Sequence, residues 1–308
     1  MLEGFYLRRP TEADIQAVLD LMLACDVRDV GFPDSDLDDL KGYWARMDLE
    51  QDAWLVFDKH HQLRGYGAVM PWESGKLIAV YDAPGTENTD LFLGLAILCE
   101  GRAVSLIKEI NDPSRNMIAH YISDTAEYQK EILEKLGYTL TKYLFNMHRD
   151  LSGEEHAPQW PDGFRLRTIN AGQDDRKLHA LIQDAFEKPG RVRQSFDDWR
   201  EWIMNPDTFI PELWFVLERQ GKIVGCALSF AYEDMGWIRQ LAVDAEVRGQ
   251  GLGRKLLQHA FSVFKSRGLP QAGLAVEAQN ANALNLYQSA GLRKTVHLDE
   301  FSKKINQE

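Results

Sequence analysis

The chain reads as a mixed α/β protein of two tandem halves, each a series of strands flanked by helices. Three observations predict this. The sequence repeats itself weakly across its middle. Each copy runs strand, one or two helices, several strands, helix, strand, helix, strands. A stretch rich in proline, glycine and charge, SGEEHAPQWPDG (Ser152 to Gly163), lies between the copies and reads as a linker. The 308 residues also suit two domains of ordinary size. We therefore expect one domain over 1–151, a linker over 152–162 and a second domain over 163–308.

The first half opens with FYLRR (Phe5 to Arg9), a short strand, followed by the helical spacing of TEADIQAVLDLMLAC. The acidic PDSDLDDL (Pro33 to Leu40) reads as a helix start capped by Asp34 or Ser35. WLVFDKHHQLRGYG, from Trp54, reads as strand, polar turn, strand. The second half opens with FRLRT (Phe164 to Thr168) and the helical DDRKLHALIQDAF. Its hairpin, WFVLERQGKIVGCA, begins at Trp214 and sets Gly225 at the offset that Gly65 has in the first. Near the two ends, ILEKLGY (Ile132 to Tyr138) and LYQSAGL (Leu286 to Leu292) align at their glycines. SFDDWREW puts Phe196, Trp199 and Trp202 on a helix, where large aromatics at this spacing serve a core or an interface more often than a ligand cage.

Bulk composition excludes several classes. A net charge of −12 suits neither a phosphate backbone nor nucleic acid in general, whereas a cationic small molecule such as an amine is tolerated. Three scattered cysteines, Cys25, Cys99 and Cys226, form no CxxC pair. They argue against a disulfide framework or a metal site and fit small buried hydrophobes in a reducing, cytoplasmic setting. No run of eighteen apolar residues predicts a membrane span, and MLEGFYLRRPTEAD lacks the apolar core of a signal peptide.

The sharpest local signal is WIRQLAVDAEVRGQGLGRKLLQHAFSVF (Trp237 to Phe264). An apolar strand over Trp237–Val243 runs into Arg248-Gly249-Gln250-Gly251-Leu252-Gly253. An amphipathic helix follows, with Leu252, Leu256, Leu257, Ala260, Phe261 and Phe264 on one face. Glycines let backbone approach a bulky anion, and the first N–H groups of a helix lack internal partners, so the turn is a cradle for a pyrophosphate. It is neither a Walker A loop, since Arg254 follows Gly253, nor a GxGxxG fingerprint.

The RxxGxG turn after LAV resembles the coenzyme A-binding segment of the GNAT acetyltransferase superfamily. LAVEAQNANALNLYQSAGL (Leu274 to Leu292) is similar to that superfamily's fifth strand and following helix, with Asn280, Ala283, Leu286, Tyr287 and Gly291 at its offsets. The resemblance implies two tandem GNAT-like domains, each a mostly antiparallel sheet flanked by helices, and acetyl-CoA as co-substrate with no metal. It implies that the main chain of Leu241, Ala242 and Val243 would pair with the pantetheine arm. The turn Arg248, Gly249, Gln250, Gly251, Leu252, Gly253 and Arg254 would hold the pyrophosphate, and Asn280 would line the arm's groove. Tyr287 would protonate the leaving thiolate.

The expected reaction is direct attack of a primary amine, of a small molecule, on the thioester. Many relatives carry a Glu on the strand before the glycine turn, where this chain has Arg239 and Gln240. Glu277 is the leading candidate for the base, with Glu233, Asp234 and His297 behind it, and Arg239 and Gln240 are candidates for holding a substrate carboxylate or carbonyl. The first half has GTENTDLFLGL (Gly85 to Leu95) where the glycine turn should be, Leu133 where Tyr287 stands and Ala126 where Asn280 stands, so it reads as a degenerate copy. In plan the chain is similar to tandem members of the superfamily with one catalytic half. Acetylation of peptides and non-catalytic acyl-CoA binding are the alternatives.

Overall fold

The computed structural model describes residues 4–306 other than 73, 86–88, 190, 205–207 and 233. In chain order the first elements are β1 (Phe5–Arg8), α1 (Ile15–Val30), α2 (Leu37–Trp44), α3 (Leu49–Asp52), β2 (Ala53–Asp58), β3 (Leu63–Trp72), β4 (Gly75–Asp82), α4 (Thr89–Ile110), β5 (Met117–Ser123), α5 (Glu127–Lys135) and β6 (Thr139–Asp150). The series then repeats as β7 (Phe164–Thr168), α6 (Asp175–Ala185), α7 (Phe196–Ile203), β8 (Trp214–Arg219), β9 (Lys222–Ala231), β10 (Met235–Val243), α8 (Leu252–Ser266), β11 (Gln271–Glu277), α9 (Ala281–Ser289) and β12 (Arg293–Lys304). The fold is mixed α/β, with mostly antiparallel sheet flanked by helices.

Two compact units form, and the chain crosses between them twice. One comprises Met1–Tyr143 with His297–Glu308, the other Leu144–Val296. In the first, β1, β2, β3 and β4 pair antiparallel in sequence order and β4 meets β5 in parallel. Its last strand comes from the far end of the chain, since Leu298–Lys304 of β12 pair with β5. In the second, β7, β8, β9 and β10 pair in order, β10 meets β11 in parallel, and β11 pairs with Leu144–Asp150 of β6. The expected boundaries at 151 and 163 follow composition, whereas these units follow strand pairing. Composition marks a linker but carries no information about which edge a strand joins.

The segment read as a linker is tied to the second unit. The Leu151 amide donates to the Pro270 carbonyl at 2.8 Å, Lys255 Nζ donates to the Gln159 carbonyl at 2.8 Å, and Glu155 is ion-paired with Arg149. Trp160 packs on the core formed by Met147, Leu151, Phe215, Leu257, Phe261 and Phe264. The predicted α8 face is buried in full, because each of its six apolar residues enters that core. On the opposite face of the same sheet, Trp199, Trp214, Leu178 and Ile182 build a second core beneath α6 and α7. The three cysteines are free and buried, and burial pushes the Cys25 and Cys226 thiols up to about 12. The cap of α2 is Asp36, which accepts from the Asp38 and Asp39 amides. The Asp34 and Ser35 amides instead donate to Asp26, which holds both residues outside the helix.

In the first unit β4 and β5 pair only over Gly75–Leu77 and Met117–Ala119 and then diverge. Asp82, wholly buried, lies at the far end of β4, beyond the stretch that pairs with β5. Its carboxylate accepts from Tyr128 Oη at 2.6 and 2.7 Å and from Gln129 Nε2 at 3.0 Å, and Arg28 lies 3.4 Å away. Removing one member of a buried ionic network leaves the others unpaired, which costs about 3–5 kcal/mol. Asp82→Ala is therefore expected to lower the unfolding free energy from urea titration by that amount, and a loss under 1 kcal/mol would show the network to be dispensable.

Candidate active site

The second unit has the same divergence with different contents. β10 and β11 pair in parallel over Met235–Trp237 and Gln271–Gly273 and then part, although both strands continue. Leu241, Ala242 and Val243 keep their antiparallel partners Ala227, Cys226 and Gly225 on β9. Their other edge has no strand paired to it among the described residues, which leaves backbone groups able to pair with an extended ligand. At Arg239 the β9–β10 register slips by one residue. The first unit lacks this bulge, because β3 and β4 pair in unbroken register from Gly65–Asp82 to Trp72–Gly75. A bulge bends its strand and re-aims side chains, and such features cluster beside active sites.

The turn that follows β10 has the conformation its glycines allow. Gly249 and Gly251 take φ of 78° and 72°, and a Cβ at either would meet nothing within 4 Å. The space above them is open. Gly251 is the N-cap of α8, and no side chain caps it, so the first-turn amides of the helix point toward that space. Gln250, Leu252, Gly253 and Arg254 complete the turn and first helical turn. Arg248 Nε donates to the Val243 carbonyl at 3.0 Å, which fixes a guanidinium beside the loop.

α9 closes one side of the divergence. Asn280 caps it, accepting from the Ala283 amide at 3.1 Å, and its equivalent Ala126 in α5 makes no such bond. Leu286 Cδ2 lies 3.2 Å from where a Cβ on Gly253 would stand, so α9 is packed against the start of α8. Tyr287, one residue on, is half-buried against the same core on which Leu241 and Val243 pack. Burial raises its phenol to about 12. Its counterpart Leu133 in α5 is wholly buried.

The candidates for the base are dispersed. Glu277, at the end of β11, is held in an ion pair by Lys188. Asp234 precedes β10, and Glu233 lies outside the described residues. His297 belongs to the other unit, with its ring nitrogens 3.0 Å from Asp124 and 3.1 Å from Asp299. The first unit's counterpart of the glycine turn begins at Gly85 and includes residues 86–88, which are outside the described residues.

The face of the sheet opposite α8 is aromatic at the bulge. Trp199 Nε1 donates to Gln240 Oε1 at 3.0 Å, Arg239 donates to Tyr232 Oη at 2.8 Å, and its guanidinium lies 5.4 Å from the Trp202 ring centroid. Trp199 is thus core, as its spacing predicts, and it also fixes the side chain next to the bulge. Sequence reasoning missed the bulge, although a signal exists: Gly65 to Asp82 and Gly225 to Val243 are equivalent spans in the two registers, and the second is one residue longer. Among the described residues no three or more potential metal ligands gather, and no helix is long and apolar enough to cross a membrane.

Residues 176–292 match the model of the Acetyltransferase (GNAT) family. A mycothiol acetyltransferase from Thermobispora bispora is 33% identical over 166 residues, which are 51% of this chain and 56% of that protein. The chain spans about half the length of such curated relatives. Among solved structures, a GCN5-related N-acetyltransferase from Sphaerobacter thermophilus is 27% identical with a TM-score of 0.85, over 99% of this chain and 96% of that one. A tandem GNAT protein from the clavulanic acid biosynthesis pathway, 14% identical, has a TM-score of 0.72 over 97% of this chain and 98% of its own. That likeness concerns the fold alone, and it extends the tandem GNAT plan along the whole chain.

Proposed function

We propose that the protein is an acetyl-CoA-dependent N-acetyltransferase, acting on a primary amine of a small molecule, with its site in the unit Leu144–Val296. The observation that carries this reading is the divergence of β10 from β11 directly before an open glycine turn and an uncapped helix N-terminus. That combination fits a ligand with an extended amide-bearing arm and a pyrophosphate. Bound there, acetyl-CoA supplies an activated acyl group as a thioester.

The chain's residues divide the work. Amides over Gly249–Arg254, with Arg248 beside them, neutralise the pyrophosphate. Leu241–Val243 pair with the arm through their free edge and so set the depth of the thioester. Asn280 fixes the start of α9 and, through it, the position of Tyr287. Tyr287 stays protonated in its apolar setting and gives its proton to the departing sulfur. The first unit has Asp82, Tyr128 and Gln129 bonded to one another at the far end of β4, beyond its pairing with β5, and we assign it no cofactor. The names of the relatives support a small-molecule acceptor.

The test is thiol release from acetyl-CoA across a panel of small amines, amino sugars and peptides. Amine-dependent release with small acceptors is the expected result. Release with peptides alone would contradict the acceptor class, and acetyl-CoA binding without release would make the protein a binding module instead.

A further inference from the structure

The proposed reaction needs a group that takes a proton from the amine. Of the candidates singled out from the sequence, Glu277 is ion-paired with Lys188 and His297 belongs to the other unit. Strand β6 offers another group. Its residues Phe145 and Met147 pack in the core beneath α8, so alternation turns Asn146 and His148 to the other face of the sheet, the face of the bulge. In register, His148 lies opposite Gly273. Gly273 is in turn the last β11 residue paired with β10, through Trp237. His148 therefore sits level with the apex of the divergence.

The apex is where the reaction must occur if the cleft is used as proposed. A ligand anchored at Gly249–Gly253 enters from the Val243 end, and the open edge from Val243 back to Ile238 is about 17 Å long at ~3.3 Å per residue. An extended arm laid along it brings its far end, the thioester, to Trp237 and Gly273. The Trp237 ring covers Gly273 so closely that a Cβ there would lie 2.6 Å from it. The His148 ring meets Trp237 edge to face, with centroids 6.0 Å apart. The indole is thus a floor beside the apex and the imidazole its neighbour, on the face opposite the core in which Tyr287 packs.

Resting on the function proposed above, we infer that His148 is the general base that takes the proton from the acceptor amine. As the new C–N bond forms and the C–S bond breaks, the amine proton passes to an imidazole nitrogen. The Tyr287 proton passes to the sulfur of the leaving thiol. A proton released from His148 to solvent and one taken up from solvent by the tyrosine restore both groups, so the cycle balances without another reactant. Burial holds the imidazole below its ordinary value, against a smaller opposing effect of Asp234, the charged group that acts on it. A histidine so depressed is neutral at pH 7 and able to accept a proton. Nothing in the second repeat's own sequence pointed to this residue, because β6 precedes the linker.

The experiment uses the full chain with acetyl-CoA and the best acceptor from the amine panel. It compares wild type, His148→Gln, His148→Glu and Glu277→Gln for kcat/KM against pH, with calorimetry of acetyl-CoA binding on each. The wild type is expected to lose kcat/KM along an acid limb that lies below about 6.5, the ordinary histidine value, because burial depresses this imidazole. His148→Gln is expected to lose about 100-fold in kcat at pH 7 and to lack that acid limb, with acetyl-CoA affinity kept within about twofold. His148→Glu should recover part of the rate, with the limb displaced toward the carboxylate range. An unchanged rate and limb in His148→Gln would overturn the inference. So would a limb removed by Glu277→Gln instead, or loss of acetyl-CoA binding together with the rate, which would mark a structural role. If the wild type neither binds acetyl-CoA nor releases thiol, the proposed function itself fails, a result separable from all of these.

Discussion

Tyr287→Phe is expected to lower kcat about 100-fold while leaving acetyl-CoA affinity within a few-fold, since a positioned general acid contributes 10²–10⁴ and the ring itself is kept. The phenol is half-buried against the α8 core, and burial raises it to about 12. The sign follows from that shift. A folded-state value above the unfolded value of about 10 adds stability at lower pH, which is lost only as pH rises through 12. Tyr287 therefore keeps its proton through neutral and mildly alkaline pH, and no basic limb below about pH 10 should be traceable to it. Steady-state kinetics of the two proteins between pH 6 and 10 check both statements. A variant of full activity would remove Tyr287 from the reaction, and a variant that lost acetyl-CoA binding would place it in the groove wall instead.

A fragment of residues 163–308, the second sequence repeat alone, is expected not to form the site. It lacks the seven β6 residues that pair with β11 from Gln271 to Glu277, and it lacks Met147 and Leu151, both wholly buried in the core under α8. Two such side chains contribute about 1.5–3 kcal/mol each on burial, and β11 would become an exposed edge. Against a usual net stability of about 5–15 kcal/mol, that loss is decisive when a whole strand goes with it. A fragment of residues 144–308 retains these parts and is expected to hold acetyl-CoA more tightly. Circular dichroism and calorimetry on the two fragments decide the matter, and a folded 163–308 fragment with the affinity of the intact chain would contradict the assignment of β6 to this unit.

Much of the fold and part of the candidate site were legible because they depend on local chemistry. The α8 face showed in the spacing of Leu252, Leu256, Leu257, Ala260, Phe261 and Phe264. The turn showed in Gly249 and Gly251, whose positive φ only glycine takes without strain. The equivalence of Gly65 and Gly225 in the repeat reappears in the pairings with Asp82 and Val243. What escaped was non-local. No local pattern reports that Leu298–Lys304 join β5 or that Leu144–Asp150 join β11. His148 was hidden for that reason. The Asp82 network was hidden too, since YDAP reads as a polar strand end until Tyr128 and Gln129 are brought to it.

The central claim is that the unit Leu144–Val296 alone carries an acetyl-CoA site, with its pyrophosphate at the glycine turn. Calorimetric titration of acetyl-CoA into the intact chain and into Gly251→Trp tests it most directly. The variant's bulk enters the open space above the turn, and its backbone must hold a φ of 72° that a side chain resists. The account predicts one equivalent bound by the natural protein and none by the variant. Two equivalents, or binding untouched by Gly251→Trp, would contradict it.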